Sequence, residues 1–281
     1  MPQTTPHVLS LRTLNAADVP AAYTLSRALG WAHRQEDWAM LQRCAEGVVA
    51  ECNGEVIGTA FACHQGAFST IGLVIVSAAH QGKGIGRQLM NQVLGTLGPR
   101  TALLNATEEG ARLYERMGFT TYGHVAQWQG LAPESVKMDD HCRALTPADT
   151  PRLLTLAAAG SGLDRQHVLA DVLPTVVQGV GIEQQGQLHA FALLRPFGRD
   201  LGLGPVIAQD EEQAKALVLA LLGTVPGRFV RVDIPSTCGL ASVLAQQGLV
   251  QVGTVAQMTT GPVPQPREGV CQFALLSQAL G

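Results

Sequence analysis

Gln81-Gly82-Lys83-Gly84-Ile85-Gly86-Arg87 puts three glycines and two cations between an apolar run at 72–76 and a helical pattern starting at Gln88. Strand, glycine-rich turn and helix in that order make an anion site largely from backbone. Glycine reaches positive φ and lets a ligand approach closely. The N–H groups of a helix start converge on one point, where the helix dipole favours negative charge. Lys83 and Arg87 add cationic side chains; the chain has only Lys83, Lys137 and Lys215, so abundance does not explain a lysine here. The ligand this chemistry predicts is a pyrophosphate. Spacing excludes two common versions. A G-x-G-x-x-G dinucleotide turn started at Gly82 would need glycine where Arg87 stands, and no acidic residue follows about 20 positions on. A phosphate loop would need Ser or Thr after Lys83, and Gly84 is there.

What fits is Q-x-x-G-x-G, met by Gln81, Gly84 and Gly86. Downstream, Leu103-Leu104-Asn105-Ala106-Thr107-Glu108-Glu109-Gly110-Ala111-Arg112-Leu113-Tyr114-Glu115-Arg116-Met117-Gly118-Phe119 reads as strand, cap, short helix and stop. Thr107 suits an N-cap, Glu108 and Glu109 suit a first helical turn, and Gly118 supplies the left-handed stop. The two segments together resemble the acyl-CoA loop and the L-Y-E-x-x-G-F helix of the GCN5-related N-acetyltransferase (GNAT) family.

That resemblance implies direct transfer of an acyl group, in the first place acetyl from acetyl-CoA, to an amine of a small molecule or peptide. Gln81, Gly82, Lys83, Gly84, Ile85, Gly86 and Arg87 would hold the diphosphate. Exposed backbone at Val74, Ile75 and Val76 would pair with the pantetheine arm, and Thr107, where relatives often carry Asn, would contribute a hydroxyl. Tyr114 stands at the family's proton-donor position. Tyr23 and Trp31 fall in or beside the first two helices, which in the family wall the acceptor pocket. The base is open. No Asp or Glu occurs from Val56 through Thr107, and Ser69 and Thr70 stand where many relatives carry Glu. His64, at a strand end, is the candidate base; His33, Glu36, Asp37, Glu51, a water relay or the second half of the chain are alternatives. A noncatalytic acyl-CoA sensor is the other reading.

The chain repeats itself. Arg12, Leu14, Asp18, Pro20, Thr24 and Leu25 match Arg143, Leu145, Asp149, Pro151, Thr155 and Leu156. Arg34-Gln35 meets Arg165-Gln166, and Val125-Ala126-Gln127 meets Val255-Ala256-Gln257. The reading is a tandem duplication with its boundary in the polar stretch 130–140, hence domains at 1–133 and 134–281. The fold class expected is α/β (α+β): two GNAT-like units, each a mixed, mostly antiparallel twisted sheet flanked by helices. Where the first copy has Gln81, Gly84 and Gly86, the second has Glu212, Lys215 and Leu217. Acidic side chains there satisfy the helix start internally and repel phosphate, so the second copy is expected to keep the fold without the cofactor loop.

Expected strands lie at 8–13, 47–52, 56–63, 67–76 and 120–128, with helices at 16–28, 34–44 and 84–97; Asn53-Gly54 signals a two-residue hairpin. The formal charge of −3 and the lack of basic runs argue against nucleic acid. No apolar stretch reaches the ~18 residues of a membrane span. Six scattered cysteines lack C-x-x-C spacing, which argues against a metal site or disulfide framework and for a cytoplasmic protein. A homodimer is left open.

Overall fold

The structure, a computed structural model, describes residues 9–136 and 141–281. Val8 of the first expected strand and part of the expected boundary, 137–140, lie outside these residues. The first half runs β1 (Leu9–Thr13), α1 (Val19–Ala28), α2 (Gln35–Cys44), β2 (Glu46–Cys52), β3 (Glu55–Gln65), β4 (Phe68–Val76), α3 (Ile85–Gly95), β5 (Thr101–Ala106), α4 (Glu108–Glu115) and β6 (Thr120–Leu131). The second runs β7 (Cys142–Ala144), α5 (Thr150–Ser161), α6 (Gln166–Val172), β8 (Gln178–Gln184), β9 (Gln187–Phe197), β10 (Asp200–Ala208), α7 (Glu211–Gly223), β11 (Phe229–Pro235), α8 (Leu240–Gln246), β12 (Val250–Thr259) and β13 (Cys271–Ala274).

The repeat in the sequence is a repeat in space. Arg12 pairs with Asp18 at 2.7 Å and Glu51 at 2.8 Å; Arg143 pairs with Asp149 and Glu183, each at 2.7 Å. Asp18 and Asp149 also accept from the backbone N–H of Asn15 and Thr146, closing equivalent turns ahead of α1 and α5. Both carboxyl groups are held below the usual carboxylate range, mainly by hydrogen bonds from their arginines. Between β2 and β3, Asn53 and Gly54 take φ of 53° and 84°, the tight turn their types predict. The first expected helix is broken: Ala16–Asp18 is one 3-10 turn capped by Asn15, and Pro20 then sits in the first turn of α1, where its missing N–H costs nothing.

The mixed, largely antiparallel architecture agrees with expectation. What the sequence did not disclose is that the half-sheets are one sheet, ordered β1-β2-β3-β4-β5-β12-β6-β11-β10-β9-β8-β7. Each half lends its last long strand to the other. β12 pairs with β5 through Ala256↔Ala106, and β6 pairs with β11 through Ala126↔Ile234. The lent strands pair with each other, with the equivalent residues Val125 and Val255 directly opposite, so a pseudo-twofold axis passes there. A shared apolar cluster adds to the union: Trp38 and Phe61 of the first half bury with Leu156, Leu169 and Phe191 of the second. Arg43 pairs with Asp171 across the same junction at 2.9 Å.

After β13 the chain turns back into the first half. Ala279 lies over Gly72 of β4, where an added Cβ would sit 2.8 Å from the Ala279 Cβ and 2.9 Å from its Cα. Gly72→Ala is therefore expected to lower stability by about 1–3 kcal/mol through overpacking, read as a melting temperature several degrees lower. An unchanged melting temperature would show that residues 275–281 are not seated there.

Candidate functional site

β4 and β5 pair in parallel only from Phe68↔Thr101 to Ile71↔Leu104. Beyond Ile71 they part, and residues 72–76 lose their ladder partners on that side. The departure begins at a bulge: Phe61 of β3 faces Gly72 while Thr59 faces Ile75, and Leu73 is held at φ 50°, a conformation that non-glycine residues rarely adopt. The Thr59 hydroxyl donates to the Leu73 carbonyl at 2.7 Å and braces it. Strain fixed in this way belongs to sites where the backbone has a task.

The gap opens into a cleft of about 750 Å³ lined by β4 from Ile71 to Val76, the turn before α3, the end of β5 and the inner face of α4. At one end Gly82 and Gly84 take φ of 76° and 77°, with open space where a Cβ would point. They are glycines for conformation, not for room. Gly86 has ordinary helical φ, and its nearest neighbours, Leu113 Cδ2 and Val76 Cγ2, lie 3.6 and 3.8 Å from a built Cβ. The chain itself would tolerate alanine there, so the open approach serves whatever enters the cleft. Gln81 donates to the Val76 carbonyl at 3.1 Å, tying the turn to the strand. α3 carries no acidic residue in its first turn and no side-chain cap, so its leading N–H groups remain for a ligand. Ile85, Leu89, Met90 and Val93 anchor its buried face.

At the other end stands Tyr114, 8% exposed. Its ring packs 5.9 Å from Phe119, centroid to centroid, and the bare Cα of Gly110 makes room for it: a Cβ there would lie 3.1 Å from Tyr114 Cε2. Burial pushes its phenol up to about 12. Thr107 caps α4, its Oγ1 accepting from the Gly110 N–H at 3.3 Å, which leaves the hydroxyl proton for another acceptor.

Of the residues singled out in the sequence, Val74, Ile75, Val76, Gln81, Gly82, Gly84, Ile85, Gly86, Arg87, Thr107, Tyr114 and Trp31 all line this cleft. Three do not. Lys83 turns away and donates to the Ala79 carbonyl at 3.2 Å. Tyr23 packs against the shared apolar cluster, with Arg27 over its ring. His64 lies in a separate depression with Glu46 and His167, its Nδ1 2.6 Å from Ser69 Oγ and its Nε2 3.5 Å from Glu46. His64 stands one residue before the end of β3, and its side chain lies in that depression and not in the cleft that holds Tyr114. Sequence reasoning missed His80, Glu109, Asn105 and Leu29, which line the cleft. The signal for His80 was its place beside the glycine turn; it holds Ser77 Oγ at 2.9 Å.

The equivalent gap in the second half is closed. β10 and β11 pair only from Leu201↔Val230 to Leu203↔Val232, then part as β4 and β5 do. Here β13 fills the space, pairing with β10 at Val206↔Ala274, and the Leu275 N–H reaches the Asp233 carbonyl of β11 at 2.8 Å. α7 is capped by Asp210, which accepts from the Gln213 N–H at 2.8 Å, and has Glu211 and Glu212 in its first turn.

Two family models described as acetyltransferase (GNAT) domains match the chain, one over residues 44–121 and one over 153–271. The chain belongs to the GNAT family. It carries two GNAT domains and is an acetyltransferase of GNAT type. It is similar to YitH of Bacillus subtilis (strain 168), an uncharacterized N-acetyltransferase, at 29% identity over 224 residues, 77% of this chain and 78% of that one. Among solved structures, a protein of Pyrococcus horikoshii provisionally assigned as an acetyltransferase matches with TM-score 0.82, 17% identity and full coverage of both chains. A tandem GNAT protein from the clavulanic acid biosynthesis pathway matches with TM-score 0.65 and 15% identity, covering 91% of this chain and 99% of that one. At these identities the structures establish the shared GNAT fold. Among the described residues no cluster suited to a metal ion occurs, and no helix is long and apolar enough to cross a membrane.

Proposed function

We propose that the first GNAT domain, within 1–133, transfers acetyl from acetyl-CoA to an amine by direct attack, and that the second, within 134–281, binds no acetyl-CoA. The observation that carries this reading is the contrast between the gaps: open from glycine turn to tyrosine in the first half, filled by β13 in the second.

The free N–H groups at the start of α3 and the Arg87 guanidinium take the diphosphate. The unpaired edge of β4 at Val74, Ile75 and Val76 takes the amide groups of the pantetheine arm, as an added strand would be taken. The amine nitrogen attacks the thioester carbonyl carbon. A C–N bond forms, the C–S bond breaks, one proton leaves nitrogen and the sulfur departs protonated. A backbone N–H near Val76 faces the carbonyl oxygen as negative charge develops on it. Tyr114 donates to the leaving sulfur.

No Asp or Glu occurs from Val56 through Thr107, and Glu109 and His80 are the acid–base side chains that line the cleft besides Tyr114. Thr107 and Trp31 bound the donor's path. The acceptor is a small amine or a peptide; nucleic acid fits neither the charge nor the cleft.

The test is CoA release from acetyl-CoA over a panel of amines as a function of pH. With no strong base in the cleft, the rate is expected to rise with pH as the amine loses its own proton. Binding of acetyl-CoA with no CoA released by any amine would contradict amine transfer.

A further inference from the structure

A second cavity, of about 400 Å³, adjoins the cleft on the side of the second half and shares Leu104 and Asn105 with it. Its walls come from both halves and from the returning tail: Thr70 and Asn105 from the first, Ser161, Arg165 and Gln272 from the second, and Gln278 from the tail. Arg165 is the sole charged side chain among the residues that line it.

Arg165 is 4% exposed. Every partner it has is neutral: Ser161 Oγ at 3.2 Å, Gln65 Oε1 at 2.8 Å, the Leu280 carbonyl at 2.5 Å and Gln272 Oε1 at 3.3 Å. Among the described residues no carboxylate side chain forms an ion pair with it. A buried charge without a counter-charge is costly, and buried charges are as a rule paired. Burial lowers its affinity for its proton to about 10, still well above neutral, so the guanidinium stays charged.

The internal repeat shows what is missing. Arg34 and Arg165 occupy equivalent positions, each just ahead of the second helix of its half. Arg34 has Asp37 at 2.9 Å. Three residues beyond Arg165 stands Val168, fully buried. The second copy keeps the arginine, sinks it further and lacks its acid.

A second polar atom waits at the junction of the two cavities. Asn105 donates through Nδ2 to the Gln278 carbonyl at 2.7 Å, which orients its amide; its Oδ1 is buried with no partner. The tail thus fixes the Asn105 side chain on the wall that the two cavities share.

We infer that this cavity is the acceptor site and that the acceptor is a small amine bearing a carboxylate, of amino-acid type, whose carboxylate pairs with Arg165 and whose amine lies toward Asn105, at the junction with the donor cleft. This rests on the amine-transfer reading above and deepens it. Asn105 borders both cavities, so an amine beside it stands at the opening between the acceptor cavity and the donor cleft. The second half thus supplies the group that selects the acceptor, although its own gap is closed. Polyamines, which bring only positive charge, are disfavoured.

The test uses the full chain with saturating acetyl-CoA and matched probes, the common amino acids each against its carboxamide at equal amine protonation. For the best acceptor, kcat/KM is expected to favour the acid by at least about 30-fold, the scale of a lost buried charge-assisted hydrogen bond. Arg165→Met is expected to raise KM for the acid at least about tenfold and to collapse the acid-to-amide ratio to about one to three, while Arg165→Lys retains part of the preference. Should Arg165→Met fail to fold, calorimetry of N-acetylated amino acids and their amides on the CoA-loaded native chain gives the same comparison without a variant. Amides equal to acids in the native chain, or no member of either series bound or turned over, overturns the proposal. Acetyl-CoA titration separates this from failure of the underlying reading: if the donor itself does not bind, the amine-transfer account falls first.

Discussion

Tyr114→Phe is expected to lower kcat by about 10²-fold or more, the range for losing a positioned proton donor, with KM for acetyl-CoA and the melting temperature nearly unchanged. Stability should survive because the ring, not the hydroxyl, makes the contacts: it packs on Phe119 and over Gly110. The size of the loss follows from what the hydroxyl must do. Burial holds the phenol at about 12, while a thiol in water titrates near ~8.5, a gap of roughly 3.5 units or about 5 kcal/mol. Full proton transfer to a solvated thiolate would be uphill by that much. In the dry cleft the departing sulfur is desolvated as well, which raises its own affinity for the proton. Tyr114 therefore works as a hydrogen bond that tightens as the C–S bond lengthens, an interaction made in the transition state and not in the ground state. Because its folded value is raised, the proton stays on through ordinary assay conditions, and no alkaline fall in kcat from Tyr114 is expected below about pH 10. A variant within threefold of the parent would remove Tyr114 from the chemistry.

Gly86→Asp is expected to weaken acetyl-CoA binding at least about 100-fold while leaving the fold intact or slightly stabilised. The nearest atoms to a Cβ at this position, 3.6 and 3.8 Å away, permit a side chain. A carboxylate in the first turn of α3 favours the helix dipole. It also occupies the helix start and repels the diphosphate. The substitution gives the first half the chemistry that Asp210, Glu211 and Glu212 already give α7. Calorimetry with acetyl-CoA reads the affinity and a thermal melt reads the fold. Binding preserved within threefold would place the diphosphate elsewhere.

The donor cleft was legible because its parts are local. The glycine turn, the Thr107 cap and the Gly118 stop, with φ of 88°, each depend on neighbours a few residues away, and spacing alone places them. The duplication was legible for the same reason: the Arg12–Asp18–Glu51 and Arg143–Asp149–Glu183 clusters repeat residue types at repeated intervals. The exchange of β6 and β12 left no such mark. A strand pairs as well with one copy's β5 as with the other's, and which it chooses is settled by linker path and the joint core, both long-range. The wedge of β13 was equally hidden, since Cys271–Ala274 carries no motif. His64 shows the other limit: alternation along a strand tells that a side chain leaves the sheet, not what stands opposite. In the sequence Arg165 is only half of an internal match; that it lacks a neighbouring acid follows from Val168 standing where Asp37 stands in the first copy.

Titration calorimetry on the intact chain asks directly where acetyl-CoA sits. One molecule per chain is predicted, with binding lost in Gly86→Asp and untouched by Glu212→Gln at the equivalent helix of the second half. Two molecules per chain, or binding that survives Gly86→Asp and responds to Glu212→Gln, would contradict it.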